Sequence, residues 1–109
     1  PLGEAAWNFG YVAGEYDAGK ASGRQVALEG AKFSVQLGFY GFARGFRGRV
    51  VGLYIKQTSI PEGLKRYTRF IAEIERYYRE LPHIIKNINN ARKLGLDRGY
   101  DIELQNRIN

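Results

Sequence analysis

Residues 27–52 read ALEGAKFSVQLGFYGFARGFRGRVVG, and the spacing of their small side chains decides the fold. Ala27, Ala31, Ser34, Gly38, Gly41, Gly45, Gly48 and Gly52 recur at alternating steps of four and three, which puts them on one face of an α-helix. Val35, Phe39, Phe42, Phe46, Val50 and Leu53 advance beside them, also at helical steps. A glycine inside a helix is ~1 kcal/mol less favourable than an alanine. A face with five glycines therefore predicts close approach of something that offsets the loss. That partner is a neighbouring helix, a lipid-facing neighbour or a sugar–phosphate backbone. Arg44, Arg47 and Arg49 lie among the glycines and Lys56 follows, giving a smooth helical floor with basic walls. A strand reading competes here: Phe33, Val35, Leu37 and Phe39 alternate with polar or small residues, and the run RVVGLYI is rich in strand formers. The helical reading is preferred over 26–55; the strand reading would imply an α+β toxin or effector domain.

Downstream, Thr58–Ser59–Ile60–Pro61–Glu62 is a break followed by a helix start. Ser59 is placed to cap, Glu62 follows three residues later as in a capping box, and Pro61 suits a first turn. From 61 to 93 the sequence predicts one amphipathic helix. Leu64, Tyr67, Ile71, Ile74, Tyr78, Leu81, Ile85 and Ile88 form its apolar stripe, widened by Phe70, Tyr77 and Ile84. The opposite face reads Lys65, Arg69, Ala72, Arg76, Arg79, His83, Lys86, Asn90 and Lys93, with no acid in it. Pro82 predicts a kink rather than an end, because the apolar phase survives across it. Gly95 reads as a C-terminal cap, and Asp97 as the start of a short last helix over 97–107.

Upstream, residues 1–25 are rich in Gly and Ala and carry Trp7, Phe9, Tyr11 and Tyr16, which reads as a frayed helix or a wrapping arm. Gly14–Lys20, GEYDAGK, has the spacing of a phosphate-binding loop. Ala21 stands where Ser or Thr would bind magnesium, however, and Glu15 and Asp17 would repel phosphate.

The 109 residues read as a single small domain with a formal charge of +6. The excess is concentrated: residues 30–69 carry +7 and the remainder −1. A basic block inside an aromatic-rich segment points to a polyanion, nucleic acid first and an anionic membrane second; a solvated basic face accounts for the same block without a partner. With no cysteine there is no disulfide or thiolate-ligated metal. Charges interrupt every long apolar run, so no ordinary membrane span is expected. Chemistry is sparse. His83 has no Ser, Cys or acidic partner at a meaningful spacing, and Glu73 and Glu75 face different sides of their helix. The expectation is a non-enzyme that uses no cofactor or metal.

The predicted architecture is all-α: an antiparallel hairpin of two long helices, with an N-terminal arm and a short C-terminal helix. Fifteen Phe, Tyr and Trp side chains exceed what such a hairpin buries alone, so an oligomer or filament of this chain, or of this chain with a similar subunit, is expected. The glycine-floored helix (Gly38, Gly41, Gly45, Gly48, Gly52), the break at Pro61 and the basic second helix resemble the major coat proteins of filamentous archaeal viruses, over residues 26–93. In that family paired helical coat proteins encase double-stranded DNA held in the A form. The resemblance implies a virion structural protein that coats DNA through sequence-independent phosphate contacts. Arg44, Arg47, Arg49, Lys56, Lys65, Arg69, Arg76 and Arg79 are the expected phosphate contacts. The alternative is a membrane-associated subunit or pore-forming segment whose Gly41–Gly45 and Gly48–Gly52 spacings pack helices in lipid, against which three arginines at that depth weigh.

Overall fold

A computed structural model describes residues 2–44 and 63–108. Four helices run through them in the order α1 (Leu2–Asp17), α2 (Gly23–Arg44), α3 (Gly63–Tyr77) and α4 (Pro82–Ile108), with no strand among the described residues. The all-α class is as the sequence predicts. For residues 33–44, part of the stretch where a strand competed, the outcome is helix; positions 45–55 lie outside the described residues.

Local chemistry sets the ends. Gly19 has φ 76°, the left-handed conformation that glycine adopts without penalty. Its N–H donates to the Tyr16 carbonyl at 2.9 Å, and the Lys20 N–H donates to the Glu15 carbonyl at 2.8 Å. This pair of bonds is a Schellman closure of α1. GEYDAGK is thus the last turn and cap of a helix, not a phosphate loop. Ser22 opens α2 through a capping box: its Oγ accepts from the Gln25 N–H at 3.2 Å, and its own N–H donates to Gln25 Oε1 at 2.7 Å.

The stretch 1–25, read as a frayed helix or a wrapping arm, is over its described residues 2–25 the helix α1, a tight turn and the start of α2. Phe9 of α1 packs on Phe33 of α2 with ring centroids 5.7 Å apart. Nearer the start of α1, Glu4, Ala5 and Asn8 line one groove with Glu29, Lys32 and Gln36. Numbers fall along α2 as they rise along α1, so these two form an antiparallel hairpin. Phe70 of α3 closes a triad, 5.8 Å from Phe9 and 5.9 Å from Phe33, with interplanar angles of 75° and 81°. Edge-to-face geometry of this kind adds ~0.5–1.5 kcal/mol per pair beyond burial.

The expected hairpin of two long helices is corrected. Phe33 meets Phe70, and further on the Leu37 carbonyl accepts from Tyr78 Oη at 3.3 Å. Numbers rise along both helices, so α3 runs beside α2 in the same sense. The helix expected over 61–93 is also two helices, not one with a kink. Proline lacks an N–H, and its ring would clash with the Tyr78 carbonyl four residues back. α3 accordingly stops at Tyr77, and Pro82 takes the first turn of α4, where its missing donor is no loss. The Leu81 N–H donates to the Tyr78 carbonyl at 2.9 Å across the turn.

Gly95 does not cap. α4 continues through it to Ile108, so the separate helix expected over 97–107 is part of α4. The reason is the neighbour. A β-carbon at Gly95 would overlap the Tyr11 carbonyl oxygen; one at Gly10 would overlap that of Ile88, and one at Gly14 that of Arg92. At Gly99 it would meet the Ala18 methyl. α1 and α4 thus touch backbone to backbone, and their paired numbers rise together, so they run parallel. Buried Ala6, Ala13 and Ala91 continue the small-residue seam. At its far end Arg92 Nε and Nη2 donate to the two oxygens of Asp17 at 2.6 and 3.1 Å.

Gly14→Ala or Gly95→Ala should destabilise the protein by ~1–3 kcal/mol despite better helix propensity, because the methyl has only backbone to displace. Gly3→Ala, with open space around it, should be neutral or stabilise by up to ~1 kcal/mol. Urea titrations of the three variants decide, and a tolerated Gly14→Ala would refute the backbone contact. A second expectation concerns Tyr78, whose phenol is pushed above its ordinary 10.0 by burial, then by Glu80 and Tyr40. The unfolded chain releases that proton first, so stability holds below about pH 10 and falls as pH rises through the folded value. Tyr78→Phe should cost ~1 kcal/mol at neutral pH, from the lost bond to Leu37, and its deficit should shrink on titration above about pH 10.

Candidate nucleic-acid interface

The small face of α2 points inward. Ala27, Ser34 and Gly38 are buried and Ala31 is half-buried. Ser34 Oγ donates to the Gly30 carbonyl at 2.8 Å, which satisfies a hydroxyl with no exposure to water. Gly38, expected as part of a floor for a ligand, therefore lies inside the protein's own packing. Gly41 and Arg44 are in the last turns of α2. Gly45, Arg47, Gly48, Arg49, Gly52 and Lys56 lie outside the described residues.

The basic row of the second half divides between two helices. Lys65 is in the first turn of α3. Arg69, Ala72 and Arg76 are exposed on the side of α3 opposite buried Phe70 and Ile74. Arg79 is exposed in the turn, and His83, Lys86, Asn90 and Lys93 are exposed along α4. Among the described residues none of Arg69, Arg79, Lys86 and Lys93 forms an ion pair. The Arg76 guanidinium stands 5.6 Å from the centre of the Tyr77 ring, a cation–π distance that holds the head group over the aromatic face. Beyond Lys93 the same side of α4 carries exposed Asp97 and Asp101, so the purely basic row ends there. The break at residues 78–81 gives the two halves different directions, which a straight helical projection could not show.

The charges of Arg69, Arg79, Lys86 and Lys93 are exposed and form no ion pair among the described residues, so they carry a field outward and contribute little to folding. Acid–base or metal chemistry has less to build on. Among the described residues no three His, Cys, Asp or Glu side chains gather in metal-ligating reach. The groove between α1 and α2, about 290 Å³, mixes Glu4 and Glu29 with Lys32 and polar amides.

The seam between α1 and α4 was open to sequence reading and was missed there. Ala6, Gly10, Gly14 and Ala18 recur every fourth residue, as do Ala91, Gly95 and Gly99.

Arg69→Ala, Arg76→Ala and Lys86→Ala should each leave stability within ~0.5 kcal/mol, as solvated side chains do. Arg92→Ala should cost ~1.5–3 kcal/mol through its lost charged hydrogen bonds to Asp17. Thermal unfolding of the four variants measures the contrast. No protein-family model, curated protein or solved structure matches the chain.

Proposed function

We propose that the chain is a structural nucleic-acid-binding protein that coats or packages DNA, duplex DNA above all, through sequence-independent phosphate contacts. The observation that carries the reading is the row Arg69, Arg76, Arg79, Lys86 and Lys93, exposed along α3, the turn that follows it and α4. Lysine and arginine on a helical surface suit a polyanion whose affinity comes from counterion release rather than base contacts. Arg44, Arg47, Arg49, Lys56 and Lys65, in the same basic stretch of sequence, complete the proposed contact set. In this reading the chain has no catalytic role, requires no cofactor, and works as a repeating assembly of itself or with a similar subunit. The pattern-level resemblance to filamentous archaeal virus coat proteins supports the same direction. A second reading, association with a membrane, draws on the exposed apolar side chains of α2, Leu28, Val35 and Phe39.

Affinity for duplex DNA should fall steeply with salt, with a log–log slope of ~0.9 per phosphate neutralised. Arg69→Ala and Arg76→Ala should each weaken binding to all sequences alike and lower the slope by about one. Fluorescence anisotropy across a salt series reads both. Binding indifferent to salt, or unchanged by loss of both arginines, would overturn the proposal.

A further inference from the structure

The side of α2 that faces away from the core is apolar. Leu28 is 56% exposed, Val35 44% and Phe39 73%, the last the largest exposure among the big apolar side chains of the described residues. At ~100° per residue these three lie next to one another on the helix surface, over ~17 Å of its length. The other exposed residues of α2 up to Phe39 border them: Arg24 on one edge, Lys32 and Gln25 on the other. The exposed arc is thus an apolar strip with a cation on each side and no exposed acid. The nearest acids lie past Lys32. Glu29 is half-buried and pairs with Lys32 at 3.4 Å, and Glu4 stands across the groove on α1. The core does not need this strip, because α2 buries Val26, Phe33 and Leu37 on its other side.

We infer that this face of α2 seats on an anionic lipid surface, lying in the plane of the headgroups. Charge complementarity selects the occupant. A second copy docking through the same face would set Arg24 and Lys32 against their own counterparts, with no exposed acid on the face to answer them. A nucleic-acid backbone answers the cations but leaves Leu28, Val35 and Phe39 in water. An anionic bilayer takes both: acyl chains for the strip, lipid phosphates and carboxylates for the two edges. No helix among the described residues is long and apolar enough to cross a membrane, so the contact is one of lying on the surface. The inference uses residues other than the proposed nucleic-acid contacts and stands or falls separately.

The test places a single indole on the strip, with Phe39→Trp in a Trp7→Phe background, Trp7 being the chain's one tryptophan. The full chain is mixed with vesicles of phosphatidylcholine and phosphatidylserine, and with vesicles of phosphatidylcholine alone. The new indole should shift to the blue and be quenched by brominated acyl chains on the mixed vesicles, and respond far less on the neutral ones. In sedimentation with the otherwise native chain, Phe39→Ala should lower the partition coefficient about tenfold or more. Arg24→Gln and Lys32→Gln should lower it about fivefold each, and only on anionic vesicles. Trp7, Arg24, Leu28, Lys32 and Phe39 are all exposed, and circular dichroism of each variant verifies the fold. No shift on anionic vesicles overturns the inference, as does an emission already typical of a buried indole before lipid is added. Lipid binding that Phe39→Ala leaves intact, or self-association that Leu28→Ser abolishes, overturns it equally.

Discussion

The close approach of α1 to α4 is the constraint on which the remaining packing depends. Gly10, Gly14, Gly95 and Gly99 together make their helices ~4 kcal/mol less favourable than alanine would. What offsets that is contact between main chains. Three carbonyl oxygens, of Ile88, Arg92 and Tyr11, lie where β-carbons would otherwise be, the setting for Cα–H···O contacts of ~0.5–1 kcal/mol each. Dispersion between two unshielded helical surfaces adds to these. With the two helices this near, large side chains are displaced to the other sides of α1, where Phe9 enters the aromatic triad, and of α4, where Ile84 and Ile88 join the core. A bulky residue in the seam would push apart the walls on which that triad rests.

The second anchor is the junction at Tyr78. Its ring is buried beside Tyr40, 5.9 Å between centroids, and its hydroxyl reaches the Leu37 carbonyl, so the end of α3 is tied to the middle of α2. Tyr40 Oη donates in turn to Glu80 Oε1 at 3.4 Å, at the surface end of the same cluster. Pro82 then starts α4 from a position these contacts already hold. One proline and one tyrosine set where the chain turns, and thereby which way each half of the basic row faces.

Helical class was legible because periodicity survives any arrangement of helices. The stripe through Ile74, Tyr78, Leu81 and Ile88 is buried as its spacing implies. Pairing was not legible, since a small-residue face states that something comes close without saying what. The face of α2 containing Ala27, Ser34 and Gly38 drew attention because it is long and lies beside arginines. The shorter run Ala6–Gly10–Gly14–Ala18, which α4 meets directly, lies in a segment whose glycine and alanine content reads as a frayed helix or a wrapping arm. Pro82 and Gly95 are opposite lessons. The proline broke a helix whose apolar phase continued, because its ring excludes the preceding turn whatever the pattern. The glycine left a helix intact, because a neighbouring backbone made the helical conformer favourable. Of the basic row, exposure was legible from charge alone, and direction was not.

The parallel pairing of the first described helix with the last has a consequence for how the chain reaches its native state. Residues that touch across the seam, such as Gly14 and Arg92, are separated by most of the sequence, so closing it requires ordering a very long loop. α1 and α2, joined by a short turn, can pair early, yet their shared surface lacks Phe70 and the whole of α4. During synthesis the glycine face of α1 therefore emerges before α4, the helix it packs against, and waits for it. A nascent chain halted before α4 would expose that bare backbone, and α1 of one molecule could meet α4 of another. Assembly by exchange of α1 between copies is the topological risk built into this arrangement, and it follows from the order of the helices rather than from the strength of any contact between them.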